Sequence, residues 1–81
     1  MGTPELLYAL LGGYTTVISY DASGNPEYIG EAQPGSSESD SVWRIFKITY
    51  NASSNPTNIQ WADGVSLFTK IWDDKASYDY S

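Results

Sequence analysis

The side chains available for chemistry in this chain are carboxylates, hydroxyls and a few amines, because the sequence contains no histidine and no cysteine. The commonest general base, the thiolate nucleophile and the soft metal ligands are therefore missing. A nucleophilic serine would need another base, and no lysine stands near a serine-rich motif in the arrangement such sites use. Asp73 and Asp74 are adjacent, and paired carboxylates can support glycoside hydrolysis. Neighbours on a strand point to opposite faces, so as a strand pair they cannot flank one bond. No catalytic residue is assigned, and the chain is expected not to be an enzyme.

Two further constellations deserve weighing. Asp21-Ala-Ser-Gly-Asn25 is rich in oxygen ligands that suit calcium. It lacks the closing bidentate acid and the acid/amide spacing of an EF-hand loop. An Asx-type turn, in which the side chain bonds its own backbone, uses the same residues. A second copy of the segment carries Asn51 where the first has Asp21, which fits turn chemistry and weakens a metal site. Trp43, Trp61 and Trp72 could form a sugar-stacking platform, yet each falls in the alternation of a core or interface residue. Neither a metal nor a cofactor is expected.

That second copy is the strongest organising signal in the chain. Tyr20 to Ala32 and Tyr50 to Ala62 share seven identities in thirteen positions (Tyr, Ala, Ser, Asn, Pro, Ile and Ala), at an offset of thirty residues. Upstream, Ile18-Ser19 answers Ile48-Thr49. Each copy is a run ending in an aromatic, a polar turn and a second short run, which is the pattern of a β-hairpin. Residues 16–31 are accordingly expected to superpose on residues 46–61.

The elements follow from that frame. Tyr14 to Tyr20 alternates, with Tyr14, Thr16, Ile18 and Tyr20 on one face, and its β-branched and aromatic content predicts a strand. In the first turn Gly24 and Asn25 tolerate positive φ, and Pro26 limits ladder donation. Gln33 to Asp40, rich in Ser, Pro, Gly and acids, reads as a solvated loop. Val42 to Tyr50 is the strongest strand and is apolar on both faces, which predicts a central position or an outer face covered by a partner. Asp63-Gly64 is a tight-turn dipeptide, after which Val65 to Trp72 and Ala76 to Tyr80 read as further short strands. Six or seven strands result, and the fold class is all-β: a small antiparallel barrel or sandwich built from two repeated hairpins. The chain divides into an N-terminal arm or short helix (1–13), a single β domain from residue 14 with hairpins 14–32 and 42–62 and a loop 33–41, and C-terminal strands over 65–80.

Eighty-one residues make one domain, and a chain this short buries only roughly 60% of its unfolded surface. Without disulfides it must rely on three Trp, seven Tyr and two Phe, or on partners that cover what remains. Leu6, Leu7, Leu10 and Leu11 are too apolar to float free, so the N-terminal segment is expected to pack on a neighbouring copy. Trp43 and Phe46 are the other candidate partner contacts. The net charge of −6 resides in the first half, where six acids face no Lys or Arg. An acidic chain without a basic stripe is not expected to bind nucleic acid. Met1-Gly-Thr-Pro4 lacks a basic leader and Leu6 to Leu11 is too short for a span, so neither a signal peptide nor membrane insertion is expected.

Trp43-Arg-Ile-Phe-Lys-Ile-Thr-Tyr50, the turn to Asn55-Pro56, Trp61-Ala-Asp-Gly64 and Phe68-Thr-Lys-Ile-Trp-Asp-Asp-Lys-Ala-Ser77 together carry a resemblance. The order and spacing resemble a family of very small open reading frames of tailed bacteriophages. The likeness covers roughly residues 28–81, and departs at Phe46, where that family often has Lys, and at Lys75, where it has Arg. The resemblance implies a non-enzymatic structural component of the virion, made in the host cytoplasm. It would act as capsid decoration, as cement or as a tail or fibre accessory, through homo-oligomeric contacts and contacts with other virion proteins. A module that binds a host surface glycan is the alternative.

Overall fold

The computed structural model describes residues 12–81. The expected arm and its candidate contacts Leu6, Leu7, Leu10 and Leu11 lie outside the described residues. The fold is all-β. Four strands, β1 (Thr15–Tyr20), β2 (Pro26–Ala32), β3 (Arg44–Tyr50) and β4 (Pro56–Trp61), form one antiparallel sheet in the order β1-β2-β3-β4. β1 and β4 are its two edges, so the hairpins lie side by side and do not close on each other.

The thirty-residue repeat is reproduced in detail. β1 pairs with β2 through Val17↔Gly30 and Ile18↔Ile29, and β3 with β4 through Lys47↔Gln60 and Ile48↔Ile59. Both ladders slip at the same place, between Ser19 and Tyr20 and between Thr49 and Tyr50. Both loops are a tight turn closed by Gly24 N–H to Asp21 O and Ser54 N–H to Asn51 O, each 3.0 Å. A left-handed residue follows, Gly24 at φ 83° and Ser54 at φ 63°, which is the geometry of a three-residue hairpin loop with a bulge. The Asx reading holds as well: Asp21 Oδ1 accepts from Ser23 and Asn25 N–H at 2.9 Å, and Asn51 Oδ1 accepts from Ser53 and Asn55 N–H at 2.9 and 3.0 Å. Of the two residues expected to tolerate positive φ, Gly24 uses it and Asn25 does not.

The register assigns every side chain to a face. Val17, Tyr28, Gly30, Ala32, Ile45 and Ala62 point one way, together with Trp43 just before β3, and this is the core side. Trp72, Tyr78 and Tyr80 pack against it. Here the structure corrects the sequence reading of residues 65–80. In place of two strands there is an irregular stretch, a 3-10 helix over Trp72–Ser77 and single bridges Trp43↔Lys70 and Ala62↔Tyr80. The physical reason is coverage. Continued strands would lengthen the sheet and leave its core face wet, whereas a turn of helix swings the Trp72 indole onto Gly30 and beside Trp43, centroids 6.3 Å apart. The loop 33–41 is also tied down: Trp43 Nε1–H donates to Ser37 O at 2.9 Å, and Asp73 N–H to Glu38 O at 3.1 Å.

Candidate interaction surface

The opposite face of the sheet is apolar too. Cross-strand partners place Ile18, Ile29, Phe46 and Trp61 in one row, with Ile48 and Ile59 in the next. Strand alternation alone brings them together, since each is one residue out of phase with a core side chain. Among the described residues no further strand or helix is laid across this face. Ile29 at its centre is 8% exposed, while Ile18 on β1 and Ile59 on β4 are 45% and 59% exposed. The face is dry at its centre, and water reaches it from both edges.

One corner of the face is built around Arg44. Its Nε donates to Glu31 Oε1 at 2.7 Å, directly across from it on β2. The guanidinium lies over Phe68, Tyr14 and Trp61, at 4.8, 5.2 and 5.8 Å from the ring centroids. Phe46 and Trp61 stack at 5.0 Å, and Tyr14 and Phe68 at 5.1 Å. The planar, weakly hydrated guanidinium suits such stacking better than an ammonium would. A cleft of about 400 Å³ opens beside this corner, lined by Tyr14, Gln33, Ser36, Val42 and Phe68.

The other three cations behave alike. Lys47 lies over Tyr28, Lys75 over Trp72, and Lys70 over Tyr78, at 5.6, 4.8 and 5.9 Å. Lys70 is itself buried, its Nζ 3.0 Å from Thr69 Oγ1 and 3.9 Å from Asp63 Oδ2. All four basic residues of the chain are thus folded onto rings, and the acids are left to dominate the surface. Asp73 and Asp74 are exposed in the first turn of the 3-10 helix. Burial, with Tyr28, Tyr78 and Asp63 nearby, pushes the Tyr80 phenol above the ordinary tyrosine range, and its hydroxyl donates to Lys75 O at 2.6 Å.

The candidate contacts read from the sequence divide accordingly. Phe46 sits on the outer face as a half-buried member of the apolar row. Trp43 does not: it is 1% exposed, because its parity with Ile45 turns it onto the core side, and a buried indole presents nothing to a partner. Trp72 is likewise core, and Trp61 is half-buried on the outer face, so the three tryptophans form no common platform. Ile18 and Ile59, exposed on the same face, were not among the candidates read from the sequence; their equivalence to Ile48 and Ile29 in the repeat was the available signal. Comparison with known protein families, with curated proteins and with solved structures finds no match to this chain.

Proposed function

We propose that this protein is a non-enzymatic structural component that works by assembly, of the kind carried on tailed-bacteriophage virions as decoration, cement or a tail or fibre accessory. The observation that supports it is the second apolar face of a single sheet. One face is dried by the chain's own Trp72, Tyr78 and Tyr80, and the other carries six large apolar side chains across which no strand or helix of the described residues is laid. Contiguous exposed apolar area on a small domain marks a contact surface.

A host-glycan module is the second reading, supported by the cleft where the Tyr14 and Phe68 rings meet the polar Gln33 and Ser36. Light scattering on the full chain across a concentration series, with a glycan array in parallel, separates the two. The assembly reading expects a mass that is a multiple of the protomer and a silent array. A monomer at every concentration overturns it, and a monomer with an array signal lost on Tyr14→Ala replaces it by the glycan reading.

A further inference from the structure

We infer that copies of this chain join head to tail, β4 of one against β1 of the next, in the register that β2 and β3 already use within a single copy. The inference rests on the assembly reading and adds the geometry of the contact. Its basis is that the hairpin repeat is a translation along the sheet: β1 corresponds to β3 and β2 to β4, with identical pairing and an identical bulge. Among the described residues, the junction β2–β3 therefore has an unfilled counterpart along β1 and along β4 as far as Gln60.

The register can be written down. Tyr28↔Lys47, Ile29↔Phe46 and Gly30↔Ile45 in the internal junction become Asn58↔Val17, Ile59↔Thr16 and Gln60↔Thr15 between copies. The backbone polarity agrees. Ala62 N–H bonds Ile45 O, so alternation turns the even-numbered residues of β4 toward β3 and leaves the N–H and C=O of Thr57 and Ile59 facing outward. Trp61 also faces outward, and its N–H and C=O are both taken by Ser81 at 3.1 Å. The contact between copies thus begins at Gln60, beside the Trp61–Ser81 pair.

The side chains left wet in one copy find their places in this arrangement. Ile59 comes opposite Thr16 and diagonal to Ile18 of the next copy, as Ile29 lies opposite Phe46 and diagonal to Ile48. Ile29, with that company, is 8% exposed, while Ile59, its repeat equivalent without it, is 59% exposed. The contact uses two different surfaces, so it propagates into a ring or a filament and does not stop at a pair.

The absence of native cysteine makes the register directly testable. Thr15 and Gln60 would form a non-hydrogen-bonded pair, with Cα atoms about 4.5 Å apart and within disulfide reach. Within one copy they lie on opposite edges, too far to bridge. The doubly substituted chain Thr15→Cys, Gln60→Cys, oxidised at a concentration where the unsubstituted protein is assembled, should give a ladder of covalent multimers on a non-reducing gel. Thr15→Cys with Asn58→Cys, two residues out of register, should give several-fold less. An assembled protein with no ladder, or with equal ladders from both pairs, overturns the head-to-tail register while leaving assembly through the sheet face standing. A protein monomeric at all concentrations overturns both. Should the first pair fail to fold, Thr16→Cys with Ile59→Cys reads the same register with the same two outcomes.

Discussion

The Trp72 indole lies so close over the Gly30 backbone that a Cβ built on Gly30 would stand 2.6 Å from Cε3 and 2.9 Å from Cζ3. Gly30 has ordinary extended backbone, so its smallness, not its flexibility, is what the site uses. Gly30→Ala should cost about 1–3 kcal/mol, because the ring is wedged and cannot retreat without uncovering Trp43. Urea denaturation followed by tryptophan fluorescence measures it. A neutral Gly30→Ala would mean that the helical turn floats on the sheet.

The two hairpin loops offer a matched pair. Gly24 and Ser54 hold the same left-handed position, at φ 83° and 63°. Ser54→Gly relieves strain and should raise stability by about 0.5 kcal/mol, whereas Gly24→Ala should lower it by about 1 kcal/mol. Opposite signs in one denaturation series are the expected outcome. Asp21→Asn should stay within about 0.5 kcal/mol of the parent, since Asn51 performs the same bonds, while Asp21→Ala should cost about 1 kcal/mol.

Much of this was legible in advance, and the boundary is physical. Hairpins are local: alternation, the Asx residue and the bulge position are all written within about fifteen consecutive residues, and the thirty-residue offset repeats them. The stretch 65–80 was misread because Leu67, Phe68, Ile71 and Trp72 are as strand-like as anything upstream. Its conformation is decided by the gap above Gly30, a tertiary fact. Trp43 was misplaced for a related reason. A strand apolar on both faces shows that both are covered or sticky, but not which one the chain covers itself. The Arg44 corner joins Tyr14, Glu31, Trp61 and Phe68 across fifty-odd positions, and only the pairing register brings the sole acid and base of that row opposite each other.

At that corner, stacking is expected to outweigh charge. The Glu31–Arg44 pair is partly exposed, 26% and 29%, so screening limits it to about 0.5 kcal/mol. The guanidinium over Phe68 and Tyr14 contributes about 1 kcal/mol. Arg44→Lys should therefore destabilise more than Glu31→Gln, and the Arg44→Lys effect should persist in 1 M salt, where roughly 3 Å screening removes the ion pair. The reverse order would assign the corner to electrostatics.

Alkali should unfold the domain through Tyr80. Its phenol holds its proton more tightly in the folded state than the ordinary value near 10, because ionisation would place a charge in a partly buried site beside Tyr28, Tyr78 and Asp63. Above about pH 10 the unfolded chain binds fewer protons than the folded one, so stability falls as pH rises; below that it is flat for this group. Tyr80→Phe should cost about 1 kcal/mol at pH 7 through the lost bond to Lys75 O, and its stability should decline less between pH 10 and 12. Parallel curves for the two proteins would remove Tyr80 from the alkaline transition.

The cover of the core face consists of residues 72–80, which leave the ribosome after the sheet they cover. Until those residues are in place the sheet shows both faces to water, Trp43 and Ile45 on one side and Phe46 and Ile59 on the other. A chain cut before Trp72 would keep both hairpins and leave neither face of the sheet dry, and such a product is expected to aggregate.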